Sequence, residues 1–172
     1  MGHDAMVIFR ESTIDDLDAI LDVQEQGAVL AFAHIFPQDA YPFPRIALAR
    51  RWRDEIADPA THTYVSTDRA GTVNGFAATR AAELLHFGTA VATWGTGLAR
   101  ELHDAVLDEF ARTVEPGTTS IRLRVLDANA RARRFYEKLA WRPTGHEIRS
   151  PFPPHPVLVE YERALADVSR TG

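Results

Sequence analysis

A chain of 172 residues, 45% hydrophobic and 25% charged, has enough apolar content for one core and an ordinary globular surface. Its net charge of -5 argues against a nucleic-acid partner, and the absence of cysteine excludes disulfide frameworks, thiolate metal sites and cysteine nucleophiles. No basic start precedes an apolar run and no stretch approaches about 18 consecutive apolar residues, so the expectation is a cytoplasmic protein without a membrane partner.

Val7–Phe9 reads as a first strand. Thr13 followed by Asp16 resembles a capping box, and Ile14, Leu17, Ile20, Leu21, Val29 and Leu30 keep helical spacing, predicting a helix over about residues 14–31. Residues 36–44 hold three prolines and can be neither helix nor inner strand. Ile46–Ile56 predicts a second helix, ended near Pro59, in which Trp52 is read as packing. Three strand-like stretches follow, Thr63–Thr67, Thr72–Arg80 and Leu84–Val91, the first two joined as a hairpin by Arg69-Ala70-Gly71. Leu98, Leu102, Val106 and Phe110 mark a helix that stops before Pro116-Gly117, with His103 read as a surface residue of it. Ile121, Leu123 and Val125 alternate with Arg122 and Arg124, a strand with one buried face. A short helix carrying Asn129 and Tyr136 follows. Two further strands, Trp141–Arg149 and Val157–Tyr161, flank a stiff P-F-P-P-H-P loop. The order β-α-α-β-β-β-α-β-α-β-β indicates one mixed α/β (α+β) domain over residues 1–172. The seven histidines include no pair three to five residues apart, so no metal site is expected.

Two segments carry chemistry. Trp94-Gly95-Thr96-Gly97-Leu98-Ala99 lies between a strand and a helix start, where glycines admit a sharp turn and free N–H groups favour phosphate oxygens. A tight strand-to-helix turn would have the same composition. Asn129 and Tyr136 are seven residues apart, almost two turns, so they share a helix face with Ala132, Phe135 and Leu139, about 10 Å apart along the axis. On this segment alone the pair reads first as a helix cap and a half-buried core tyrosine, and otherwise as a polar pair serving a long, partly polar ligand.

Together, W-G-T-G-L-A opening a helix and N-x-x-A-x-x-F-Y about thirty residues later resemble the GCN5-related N-acetyltransferase superfamily. The first is similar to that family's acetyl-coenzyme A loop, Q/R-x-x-G-x-G/A, with Gly97 and Ala99 in register. The front, I-F-R-E-S-T-I-D-D-L-D-A-I-L, also looks like its first strand and helix, and the resemblance spans about residues 6–163. Trp94 stands where the family usually has Gln or Arg, and Ala140 where a glycine is common.

The resemblance implies an acetyltransferase that moves the acetyl group of acetyl-coenzyme A directly to a primary amine of a small molecule or peptide. The cofactor's arm would pair with Phe87, Gly88 and Thr89, its diphosphate would sit on Trp94, Gly95, Thr96, Gly97, Leu98 and Ala99, and Asn129 would stand near the arm. A backbone N–H near Thr89 would stabilise the carbonyl oxygen, and Tyr136 would protonate the departing thiolate. Glu83 is the first candidate base and His86 the second; each also reads as a structural residue. His34, Asp39, Tyr41 and His155 are candidates for the acceptor wall. The family is often dimeric, and a bacterial, cytoplasmic enzyme is the expectation. A catalytically silent acyl-coenzyme A sensor is the alternative, whereas a dinucleotide-dependent oxidoreductase fits poorly because the glycine loop falls too late.

Overall fold

The computed structural model describes residues 7–165. Seven strands form one sheet: β1 (Ile8–Glu11), β2 (Thr61–Thr67), β3 (Val73–Arg80), β4 (Glu83–Thr89), β5 (Ser120–Leu126), β6 (Arg142–Arg149) and β7 (Val157–Ala164). Four helices pack on it: α1 (Leu17–Ala31), α2 (Arg45–Ala57), α3 (Leu98–Thr113) and α4 (Ala130–Lys138). The element order matches the sequence expectation, with boundaries shifted by a few residues. One change is substantive: Val91 closes no strand but begins a short 3-10 turn, Val91–Thr93, that leads into the glycine loop.

Strand alternation divides the helices between two faces. Tyr64 and Ala77 point to the side where Val106, Phe110 and Tyr136 pack. Their neighbours Val65, Phe76 and Ala78 point to the side where Ile20, Leu21, Leu48 and Trp52 pack. Helices α1 and α2 therefore cover one face of the sheet, and α3 and α4 cover the other.

Local polar contacts set how these elements enter. The Asp16 carboxylate accepts the Thr13 N–H at 2.8 Å, as the capping box requires, and also binds Arg10 through both oxygens at 2.8 Å. The hydrogen bonds from Arg10 hold that carboxyl below its ordinary range. In the β2–β3 hairpin, Asp68 accepts from the N–H groups of Ala70 and Thr72 at 2.9 Å, with Gly71 at φ +84°. Arg133 donates to Asp127 at 2.7 Å and to the Tyr161 hydroxyl at 3.0 Å, and that hydroxyl donates to Glu137 at 2.7 Å. This chain of contacts fixes the rotation of α4 on β7, and with it the direction of Tyr136.

The sheet order is β1-β2-β3-β4-β5-β7-β6, antiparallel except between β4 and β5. That parallel pair is joined only at Glu83↔Arg122 and Leu84↔Leu123. Beyond it β4 stays with β3 as far as Thr89, and β5 stays with β7 as far as Leu126. The register of β3 and β4 shifts at Ala78/Thr79, so one extra residue, Leu85, sits in β4 where the two central strands part. The sheet is thus split at its centre over the second halves of β4 and β5.

Candidate functional site

Four groups of residues border the split. The first is the backbone of β4. The Ala90 N–H donates to Asn74 O on β3 at 2.8 Å, so alternation turns the N–H and C=O groups of Phe87 and Thr89 the other way, into the split. Gly88 faces β3 instead. Its lack of a side chain serves Phe76, whose ring would lie 2.6 Å from an added Cβ.

The second is the glycine loop. Gly95 and Gly97 have φ of +80° and +92°, which favours glycine, and an added Cβ at either would meet nothing within 4 Å. Gly97 stands at the N-cap of α3 with no side chain to cap it, and among the described residues the one side-chain acceptor near the first turn is Thr96 Oγ1, 3.5 Å from the Leu98 N–H. Donors of the first turn, including that of Ala99, are therefore left for an outside acceptor. The open space and uncapped donors fit a phosphate-bearing ligand.

The third is α4. Asn129 caps it, Oδ1 accepting from the Ala132 N–H at 3.1 Å, so the capping role is realised and the amide NH2 remains for other partners. Tyr136 is buried among Phe87, Phe135 and Trp141, with ring centroids 6.4, 5.4 and 5.9 Å away. Its hydroxyl has no hydrogen-bond partner among the described residues, yet it is not among the sealed unpartnered atoms, Thr79 Oγ1 and His103 Nδ1. Burial pushes the phenol well above its ordinary value. It therefore keeps its proton throughout the neutral range.

The fourth lies on the α1–α2 side. Glu83 stands at the closed end of the split, 3.8 Å from Arg124. His86 packs on Trp52, centroid to centroid 4.7 Å, and its Nε2 lies 2.7 Å from Glu55 Oε2. Arg51 holds the other Glu55 oxygen at 3.0 Å. Burial, the largest influence on Glu55, favours its neutral form, but His86 and Arg51 outweigh it and keep the carboxyl below its ordinary range. An ionised carboxylate only accepts, so His86 Nε2 carries a hydrogen toward Glu55, which leaves Nδ1 as the nitrogen able to exchange a proton. Glu55 was not singled out in the sequence, although Leu48, Trp52 and Glu55 follow one another at helical spacings of four and three.

His103 is a correction. Far from being a surface residue, it is 1% exposed. Trp141 Nε1–H donates to its Nε2 at 2.9 Å, and its Nδ1 lies 3.6 Å from Asp104, beyond hydrogen-bond range. Burial lowers its imidazole below the ordinary value. It is a neutral strut beneath the aromatic cluster, on the helix stripe that also holds Val106 and Phe110.

The acceptor-wall candidates are spread over two loops. His34 Nε2 is 3.2 Å from Ala128 O, tying the α1–α2 connection to the turn before α4. Asp39 is exposed and Tyr41 half-buried, and neither side chain has a hydrogen-bond partner among the described residues. His155 Nδ1 is 2.9 Å from Ser150 O, closing its own loop. Phe43 and Phe152, one from each loop, pack on the same α1–α2 apolar cluster, so both loops border that face.

Residues 4–141 match the model of the Acetyltransferase (GNAT) family. The chain belongs to that family. Similar folds include PaiA N-acetyltransferase from Thermoplasma acidophilum in complex with coenzyme A, 15% identical over 92% of this chain and 98% of that one, with a TM-score of 0.69. They also include a spermidine N-acetyltransferase SpeG chimera from Vibrio cholerae and hSSAT, 18% identical over 92% and 95%, TM-score 0.68. A third is the ribosomal-protein-S18-alanine N-acetyltransferase from Escherichia coli, 18% identical over 97% and 99%, TM-score 0.66. No curated protein matches the chain in sequence. As a GNAT acetyltransferase it is an acyltransferase, and acetyl-coenzyme A is its acetyl donor. No helix among the described residues is long and apolar enough to cross a membrane.

The Glu55 interactions make a pH prediction. A carboxyl lowered in the folded state contributes stability above its ordinary value of 4.5 and loses it as pH falls through the lower folded value. Urea unfolding from pH 7 to pH 3 should therefore show a flatter acid limb for Glu55→Gln than for the parent. Parallel limbs would contradict the ionised Glu55 and the hydrogen on His86 Nε2 derived from it.

Proposed function

We propose that this GNAT acetyltransferase transfers acetyl from acetyl-coenzyme A directly to a primary amine of a small molecule or peptide, with Tyr136 as acid. The observation that carries the reading is a buried, protonated and unpartnered Tyr136 hydroxyl beside a sheet that splits after Leu84 and Leu123.

When bound, acetyl-coenzyme A supplies an acetyl group activated as a thioester. The N–H groups of Phe87 and Thr89, fixed by the β3 pairing, donate toward carbonyl oxygens in the split and cost no reorganisation there. The free donors of Gly95, Gly97 and the α3 start serve phosphate oxygens. Tyr136 holds a proton for the sulfur that leaves. An amine attacks only as the free base, and the structure favours His86 over Glu83 as the group that takes its proton. Glu55 fixes the imidazole with its lone pair on Nδ1, which has no partner among the described residues, whereas Glu83 faces Arg124. Asn129 keeps its amide NH2 for the arm, and the loops bearing His34, Asp39, Tyr41 and His155 border the face from which an acceptor would approach.

The acceptor stays at the level of a primary amine. Similar folds act on acceptors as unlike as spermidine and a ribosomal protein, so the fold does not choose between small molecules and peptides.

Coenzyme A release over a panel of amines tests the reading. Tyr136→Phe should lower kcat at least tenfold while leaving coenzyme A affinity unchanged. An undiminished kcat would remove the acid role, and parent protein that binds the cofactor tightly yet turns over no amine would be a sensor instead. His86→Gln, which keeps a hydrogen bond to Glu55, should lower kcat about a hundredfold, with Glu83→Gln within about threefold of the parent. The reverse ranking would return the base to Glu83.

A further inference from the structure

Position 94 carries an indole where the resemblance to the acetyltransferase family implies Gln or Arg, and three contacts hold that indole in one place. Its Nε1–H donates to Thr89 O at 3.1 Å, the carbonyl that alternation turns into the split. Its ring reaches α1, 3.9 Å from where a Cβ on Gly27 would lie. The guanidinium carbon of Arg131, in the first turn of α4, lies 3.6 Å from the ring centroid. Trp94 belongs to the connection after β4 and Arg131 to the helix after β5, so the pair spans the mouth of the split.

A guanidinium stacked on an aromatic face is held flat, while the N–H groups around its edge stay free to donate. Arg131 is exposed and has no carboxylate or carbonyl partner among the described residues. Arg133, two residues on, is by contrast engaged through Nε and Nη1 with Tyr161 and Asp127. Arg131 is thus a cation whose position is fixed by a ring and whose donors are unspent, across the mouth from the uncapped start of α3.

We infer that Arg131, carried on the face of Trp94, binds the diphosphate of coenzyme A and supplies the polar contact that position 94 has lost. The inference rests on the acetyl-coenzyme A reading and names a further binding residue of the same site. Because the Trp94 N–H is anchored to Thr89 O, the platform is set before the ligand arrives, and little ordering is needed on binding. Trp94 also takes one of the backbone acceptors that border the split, so the ligand's arm pairs with the remaining groups of Phe87 and Thr89.

Three probes locate the contact: coenzyme A, 3′-dephospho-coenzyme A, and S-acetylpantetheine, which lacks the diphosphate. By calorimetry, Arg131→Ala should weaken both nucleotides by about tenfold or more and leave S-acetylpantetheine unchanged. Trp94→Leu should give a loss of similar size, and the double variant should lose no more than either alone, because platform and cation act together. Thermal unfolding of each variant checks that substituting exposed Arg131 or half-buried Trp94 leaves the fold intact. Unchanged coenzyme A affinity in Arg131→Ala would overturn the inference, as would a loss seen with coenzyme A but not with its 3′-dephospho form, which would move the contact to the 3′-phosphate. Parent protein that binds none of the probes would refute the acetyl-coenzyme A reading itself, a separate failure.

Discussion

The parallel ladder between β4 and β5 ends after Leu84 and Leu123, although both strands run on for several residues beside their other neighbours. Inside a sheet, unpaired N–H and C=O groups are costly unless water or a ligand satisfies them. Phe87 and Thr89 carry such groups on the β5 side, and among the described residues only the Thr89 carbonyl is answered, by Trp94. The split therefore leaves backbone groups of β4 turned toward β5 that an extended polar chain could pair with. The glycine loop, α4 and the acceptor-side loops all take their meaning from where they stand around it.

The two faces of the sheet divide the chemistry. On the α3–α4 side, Tyr136 is locked by aromatic neighbours and by the Asp127–Arg133–Tyr161–Glu137 chain, which leaves its hydroxyl nothing to do in folding. On the α1–α2 side, Glu55, itself held by Arg51, engages one nitrogen of His86, and the other has no partner among the described residues. The acid and base candidates thus lie on opposite faces of the sheet, Tyr136 with the α3–α4 cluster and His86 against Trp52. Placing them on β4 and α4, rather than on mobile loops, keeps the geometry rigid.

Most of the fold was legible in the sequence because it is written in periodicities. Ile121, Leu123 and Val125 alternate as one face of a strand must, and Leu98, Leu102, Val106 and Phe110 repeat as a buried helix stripe must. The Asn129–Tyr136 spacing was legible for the same reason, and the glycine loop from its composition between a strand and a helix. Long-range facts were not. Nothing local announces the extra residue in β4, which depends on its register with β3. His103 was misread because a polar type was weighed above its spacing to Val106 and Phe110. Trp94 was read as part of the diphosphate loop and as a replaced Gln or Arg, but its contact with Arg131, thirty-seven residues on, is a long-range fact. Ala140 could be suspected, and its φ of +69° shows the left-handed turn that glycine would occupy with less strain.

The central claim is that one ligand occupies both the free edge of β4 and the donors that open α3. Hydrogen–deuterium exchange of the whole chain, with and without coenzyme A, addresses both at once. The account predicts slowed exchange at the amides of Phe87 and Thr89 and across Gly95 to Arg100, with the β1–β2 amides unchanged. Saturating coenzyme A that leaves those two segments exchanging as before would contradict it.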